Sequence, residues 1–339
     1  MELGKGIPPL VVAEIGINHN GDAALARKMI ESAAENGADA VKLQTFIGEE
    51  LVSKNETIDD PGRPGSRIPL YEFFKRFELT RSEYADLFAL ARKRGLCLFS
   101  APFDEASLDL LVDLECPAFK IASPDLTYYP FLRRVAQTGK PVVLSTGTGS
   151  MEEIERALAV IRKEGNDRIV LLHCVSSYPA EHADMHLTCL PALAERFRVP
   201  VGLSDHSRDN VSALVAAVLG ACMIEKHFTL DRSLPGVDQP LSMEPGELRQ
   251  LKRDLAAAVT TLGDGEKHMR PSEARVKRSA RRSLVARIDI EPGTTISPQM
   301  VAIKRPGTGI PPEDLEKVLG KKAREKIAAE SLFSWGQLE

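Results

Sequence analysis

No window of this chain approaches the roughly 18 consecutive apolar residues that a membrane-spanning helix needs, so no membrane partner is expected. Positive charge is not in excess either. The 44 Lys and Arg are outnumbered by 48 Asp and Glu, for a formal net charge of -4. That argues against a dedicated nucleic-acid binder or membrane-surface binder, which is usually basic. None of the five cysteines (Cys97, Cys116, Cys174, Cys189, Cys222) belongs to a C-x-x-C pair. Their odd number and apolar surroundings point to reduced buried thiols without a catalytic role. The N-terminal "MELGKGIPPLVVAEIG" lacks the long apolar segment of a signal peptide and runs straight into Glu14. A cytoplasmic location is therefore expected. No G-x-G-x-x-G follows the first β-like run, which disfavours a doubly wound nucleotide-binding sheet.

What is there is the texture of a globular protein. Of 339 residues, 43% are hydrophobic and 27% charged, enough for a large domain and a small one. Eight β-like runs (9–18, 38–46, 96–103, 118–123, 141–147, 168–175, 200–205 and 221–228) are each followed by a helix-like segment. That alternation predicts a (β/α)8 barrel. Residues 48–77, rich in Pro and Gly, read as a long irregular loop. From Gly263 the texture turns polar and basic, with seven Lys or Arg between Lys267 and Arg282. A solvated linker explains this better than an anion-attracting surface, because the stretch has no aromatic residue to stack on bases. After it, Pro-Gly turns separate short β-branched runs. The expected organisation is a barrel over 1–265, a linker over 266–281 and a mostly β domain over 282–339. A domain that small is expected to have a thin core and to lean on another surface.

In such a barrel the C-terminal strand ends form the active-site face. All eight runs end in chemically capable groups: Glu14, Asn18 and His19 on the first, Lys42, Gln44 and Thr45 on the second, Ser100 on the third, Lys120 and Ser123 on the fourth. Ser145 and Thr146 end the fifth, His173 and Tyr178 the sixth, Ser204, Asp205 and His206 the seventh, and Glu225, Lys226 and His227 the eighth. Stability does not explain such a collection, since burying an unpaired polar group costs roughly 1–3 kcal/mol. "SDH" and "EKH" close adjacent strands, so His206 and His227 can face each other as metal ligands. A pair of hydrogen-bonded structural histidines is an equal alternative on spacing alone. Lys42, Lys120, Ser123 and Ser145, with the amides of "STGTG", suggest a site for phosphate or carboxylate. Pairing of each lysine with a nearby Glu is disfavoured, because both lie inside apolar strands. "NHNGD" is also a strong turn signal.

The segments "AEIGINHNG", "VKLQTF", "SAPFD", "FKIAS", "LSTG", "SSYPA", "GLSDHS", "EKHFTLD" and "IKRPGTG" together resemble the sialic acid synthase family, over nearly the whole chain. The C-terminal part resembles that family's antifreeze-like (SAF) domain. The resemblance implies condensation of phosphoenolpyruvate with the open-chain aldehyde of an N-acylated amino sugar, N-acetylmannosamine or a diacetamido-deoxyhexose. The products are a nine-carbon 2-keto acid and phosphate. It implies a divalent metal, Mn2+ with Mg2+ or Co2+ as alternatives, on His206 and His227. It makes Glu14 the candidate for proton transfer, and Lys42, Lys120, Ser123 and Ser145 the phosphoenolpyruvate contacts. Gln44, Tyr178 and Asp238 correspond to acceptor-sugar contacts. Arg305 corresponds to an arginine extended into the partner's barrel of a domain-swapped homodimer.

Three departures bear on the acceptor. Ala101 stands where many members have a threonine, "SPD" (Ser123, Pro124, Asp125) where neuraminate-forming members have "SGE", and Thr148 where "STGM" is common. Two other readings remain. One is a phosphoenolpyruvate-dependent synthase or aldolase for another aldose, which residues 264–339 disfavour. The other is a non-catalytic sugar-binding protein, which the joint presence of Glu14, Lys42, Lys120, His206 and His227 disfavours.

Overall fold

The eight apolar runs form eight parallel strands in a computed structural model, which describes residues 7–60, 63 and 65–339. The first six residues of the N-terminal stretch and three positions of the 48–77 loop lie outside the described residues. The strands are Leu10–Gly16, Ala40–Thr45, Cys97–Pro102, Phe119–Ile121, Val142–Ser145, Ile169–Cys174, Val201–Asp205 and Met223–His227. They follow one another around a closed barrel, and the eighth pairs with the first from Leu10 opposite Met223 to Glu14 opposite His227. Glu14 is also the register partner of Lys42 on the other side. Strand pairing alone therefore sets Lys42, Glu14 and His227 at one level, near the C-terminal ends.

The helices between strands form where the sequence supplies both a cap and an apolar stripe. Asp22 accepts from the amides of Ala24 and Leu25 to start Ala23–Glu35, whose Ala26, Met29, Ile30 and Ala33 are buried. Thr80 with Glu83 and Ser150 with Glu153 close capping boxes on Arg81–Lys93 and Met151–Lys163. The strands are buried on both faces, as a parallel barrel wrapped in helices requires.

The long loop is more ordered than its composition predicts. It holds a short helix, Gly48–Leu51, an antiparallel pairing of Thr57–Asp59 with Arg67–Pro69, and a second helix, Leu70–Lys75. A small aromatic core supports it. Phe46 packs edge-on against Phe74 at 5.6 Å and Phe103 at 6.0 Å, and Phe73 against Phe77 at 5.1 Å. Short elements between prolines and glycines leave no period to read in sequence.

The chain divides after Gly263 into two compact units. In the second, Ser283–Ala286 pairs antiparallel with Val301–Lys304, and isolated bridges such as Val285 to Leu332 and Ile290 to Ile327 tie the later turns. Leu284, Ile290, Val318, Ile327 and Phe333 close a core of its own, at most 1% exposed each. Its members are scattered one per turn, so no periodic run announces them in the sequence. The basic segment ahead of it carries a helix, Ala274–Ala280. No helix among the described residues is long and apolar enough to cross a membrane.

Candidate active site

Side chains alternate along each strand, and alternation decides which of the strand-end residues face the barrel's interior. On the eighth strand Glu225 and His227 share one face. Lys226 takes the other, where its ammonium bonds Asp205 at 2.9 Å and the Ser207 carbonyl. On the seventh, Ser204 and His206 share a face and Asp205 takes the opposite one. The Lys226–Asp205 pair is thus a buried latch between two strands. Ser100 is likewise committed, its hydroxyl 2.7 Å from that of Thr45. His173 donates to the Met185 carbonyl at 2.7 Å.

The inward groups form one connected cluster. Lys42 is ion-paired with Glu14 and lies 3.8 Å from Glu225. Lys120 donates to the same Glu225 oxygen at 3.2 Å, and so does Ser204 at 3.1 Å. Gln44 donates to Glu14 at 3.3 Å. The expectation that the lysines would lack Glu partners is therefore corrected. Two ammonium groups this deeply buried need compensating charge, and strands one and eight supply it.

The two carboxyls are pushed apart. Burial raises Glu14, with the Glu225 charge adding to it, and this outweighs the opposing pull of Lys42. Burial also acts to raise Glu225, but Lys120 and Lys42 together hold it below the ordinary range. Burial would lower Lys42, yet Glu14 and Glu225 hold its proton more firmly than usual. Lys120 is lowered by burial and by Lys42, only partly offset by Glu225. Two carboxyls shifted in opposite directions suit one to carry a proton and the other to stand as an anion.

Around this cluster are hydroxyls and amides. The Gly147 amide donates to Ser123 Oγ at 3.0 Å. A Cβ on Gly147 would come within 2.7 Å of that oxygen, so glycine lets the backbone approach the hydroxyls here. Ser145 Oγ is buried without a hydrogen-bond partner among the described residues, as is one carboxylate oxygen of Asp125. Burial lifts Asp125 to about 6. Ala101, the register partner of Gln44, puts a methyl group on the inward face.

The two imidazoles adjoin, with ring centroids 5.4 Å apart. Tyr178 lies 4.2 Å from the His206 ring and 6.0 Å from the His227 ring. Asp238 approaches His227 Nδ1 at 3.5 Å. His206 Nδ1 donates to the Val175 carbonyl at 2.8 Å, so that in the neutral ring Nε2 carries the lone pair. Burial, with His206 nearby, drives His227 well below the ordinary value and keeps it neutral. For His206, burial is outweighed by contact with Cys174, whose sulfur is 3.9 Å from Nδ1. Among the described residues no three His, Cys, Asp or Glu are gathered to hold a metal. Two imidazoles, each with a nitrogen to spare, fit an ion with open coordination positions rather than a closed structural site.

The structure thus brings together Glu14, Lys42, Gln44, Lys120, Ser123, Ser145, Tyr178, His206, His227 and Asp238 at one end of the barrel. Arg305 belongs to the second unit, exposed just after Val301–Lys304. Sequence reasoning placed Glu225 at the end of the eighth run but gave it no role, although "EKH" with its alternation could have marked it as inward. It also missed how "NHNG" works. Asn18 donates to the Phe228 carbonyl at 2.9 Å and to Ser242 at 2.8 Å, and Gln239 donates to the Asn18 carbonyl at 2.8 Å. The turn after strand one thereby clamps the loop carrying Asp238.

Comparison with known proteins agrees with this geometry. Residues 29–267 match the NeuB family and residues 281–339 the SAF domain. The chain is 37% identical to N,N'-diacetyllegionaminic acid synthase of Legionella pneumophila, over 99% of this chain and 96% of that protein. It is 35% identical to pseudaminic acid synthase of Helicobacter pylori, over 98% of each. Among solved structures, N-acetylneuraminic acid (sialic acid) synthetase from Leptospira borgpetersenii, in complex with citrate, superposes with a TM-score of 0.73. It is 34% identical, over 81% of this chain and 92% of that one. The chain therefore belongs to the NeuB family of phosphoenolpyruvate-condensing sialic acid synthases, with a C-terminal SAF domain.

Proposed function

We propose that this nonulosonate synthase joins phosphoenolpyruvate to the open-chain aldehyde of an N-acylated hexosamine, with a diacetamido-deoxyhexose as the leading acceptor and N-acetylmannosamine as the alternative. The names of the Legionella and Helicobacter relatives favour the former. In this reading C3 of phosphoenolpyruvate attacks the aldehyde carbon and the aldehyde oxygen takes up a proton. Water adds at C2, and the resulting hemiketal phosphate expels phosphate with C–O cleavage. Phosphoenolpyruvate, aldehyde and water thus become a nine-carbon 2-keto acid and phosphate.

The observation that carries this reading is the charge cluster. Lys42 and Lys120 face an incoming phosphate or carboxylate, with the Ser123 and Ser145 hydroxyls and the Gly147 turn beside them. Glu225 keeps both ammonium groups compensated until the substrate arrives. Glu14, whose carboxyl burial shifts upward, would give the aldehyde oxygen its proton and take one back from water. Gln44, Tyr178 and Asp238 orient the acceptor, and Arg305 would reach its N-acyl group from the second copy of a domain-swapped homodimer. His206 and His227 would hold a divalent ion, Mn2+ by preference. When bound it would supply Lewis-acid polarisation of the aldehyde carbonyl.

The test is phosphate release from phosphoenolpyruvate with Mn2+ against a panel of N-acyl sugars, with mass spectrometry of the products. A nine-carbon acid from one sugar, abolished by chelator, is expected. His206→Ala and His227→Ala are each expected to abolish turnover and weaken Mn2+ binding measured by calorimetry. Full turnover by a chelated variant would remove the metal from this reading.

A further inference from the structure

Lys226 and Asp205 take no part in the chemistry above, yet they form a deeply buried ion pair, their side chains 2% and 0% exposed. They lie on the strand faces opposite the two imidazoles. Stability does not account for them. Taking two charges out of water offsets most of what their attraction returns, so an apolar pair of similar volume often serves such a position as well or better. What an ion pair adds is a fixed distance and direction.

The strand pairing shows where that direction is needed. The ladder between strands seven and eight ends with Asp205 opposite Lys226. On the strand-six side it ends sooner, with Ser204 opposite Cys174. His206 is therefore past the end of both ladders, while His227 is still registered against Glu14 of strand one. The strand ladder stops short of tying one histidine to the other. The ion pair continues the tie where the ladder stops. Asp205 Oδ2 accepts from Lys226 at 2.9 Å, and its Oδ1 accepts from the Ser207 amide at 2.8 Å. Lys226 also donates to the Ser207 carbonyl. These bonds converge on the residues either side of His206. Their other end is Lys226, the chain neighbour of His227, whose own carbonyl accepts from the Met243 amide at 2.7 Å.

The outcome is two rings with centroids 5.4 Å apart and planes inclined at 54°. A metal site with two protein ligands depends on both nitrogens being in place together, and such a constellation must be held to within roughly 0.5 Å. We propose that Asp205 and Lys226 are positioning residues for the divalent ion, holding His206 and His227 at the spacing that binds it. The inference rests on the metal reading and adds to it a pair that touches neither ion nor substrate.

The test is Mn2+ binding to the full chain by calorimetry, with the electron paramagnetic resonance spectrum of the bound ion. Phosphoenolpyruvate affinity and melting temperature are measured beside it in chelator. Asp205→Asn with Lys226→Met removes both charges, roughly keeps the shapes and leaves an oxygen for the Ser207 amide. It is expected to raise the Mn2+ Kd about 10–100-fold and to alter the spectrum, with phosphoenolpyruvate affinity and melting temperature near wild type. A lower melting temperature with unchanged Mn2+ affinity would make the pair a structural tie alone and overturn the proposal. Equal losses for Mn2+ and phosphoenolpyruvate would overturn it too, as a general loosening. If the double variant does not fold, Asp205→Glu carries the test, because it keeps the charges paired and lengthens the tie by a methylene. It is expected to raise the Mn2+ Kd about tenfold, and wild-type affinity there would overturn the proposal. A wild type that binds no Mn2+, or binds it as tightly after His206→Ala, removes the metal from these histidines and this inference with it.

Discussion

Glu14 and Glu225 both touch Lys42, and their different surroundings give them different work. Glu14 has one ammonium partner and a like charge nearby; Glu225 has two ammonium partners and the Ser204 hydroxyl. Glu14→Gln keeps shape and burial but cannot carry a proton. It is expected to lower kcat by roughly 10²–10⁴-fold with little change in phosphoenolpyruvate binding, read by steady-state kinetics beside calorimetry. A kcat within about tenfold of wild type would move the proton elsewhere. Glu225→Gln should act on stability first. It leaves Lys120 buried without its carboxylate, at a cost of about 3 kcal/mol, read as a lower urea midpoint. Inorganic phosphate, an anion for the same lysines, should recover part of that loss by binding the folded state. No recovery at saturating phosphate would mean that the lysines do not form the anion site.

At the scale of elements, the reaching turn after strand one is the piece with the clearest consequence. Asn18 holds Phe228 and Ser242, Gln239 holds Asn18, and Asn20 donates to the Pro235 carbonyl at 2.7 Å. Together these bonds pin both ends of the loop that presents Asp238. Asn18→Ala should raise the acceptor KM about tenfold, some 1.4 kcal/mol of positioning, while the phosphoenolpyruvate KM stays put. Equal changes in both would point to a general loosening of the barrel. Much of this architecture was legible beforehand. The strands were, because each is a short apolar run ending in polar groups, and so were the helix-like segments that follow them. Two things were not. "NHNG" reads equally as a bare turn, because its bonds reach partners some 210 to 224 residues away that no local pattern reveals. The lysine–glutamate pairing was misjudged because Lys42 and Lys120 were weighed strand by strand. Their carboxyls come from strands one and eight, which only barrel closure makes neighbours.

For the whole molecule, the division of labour between the units is the decisive question. Ten of the residues assigned to the site belong to the barrel, whereas Arg305 belongs to a unit with its own core. If Arg305 acts in the barrel of a second copy, each site needs two chains, and damage to opposite parts can be complemented. His227→Ala chains and Arg305→Ala chains are each expected to be inactive alone. In a mixed dimer one site combines both lesions and the other combines neither. Equal amounts exchanged to equilibrium should therefore recover about a quarter of wild-type activity, since about half of the dimers are mixed and each has one intact site. Recovery should grow with the time allowed for exchange and vanish if exchange is blocked by cross-linking beforehand. Were Arg305 to serve the barrel of its own chain, the His227→Ala chain would contribute nothing that the Arg305→Ala chain lacks. The mixture would then stay silent even after exchange had been verified by mass spectrometry.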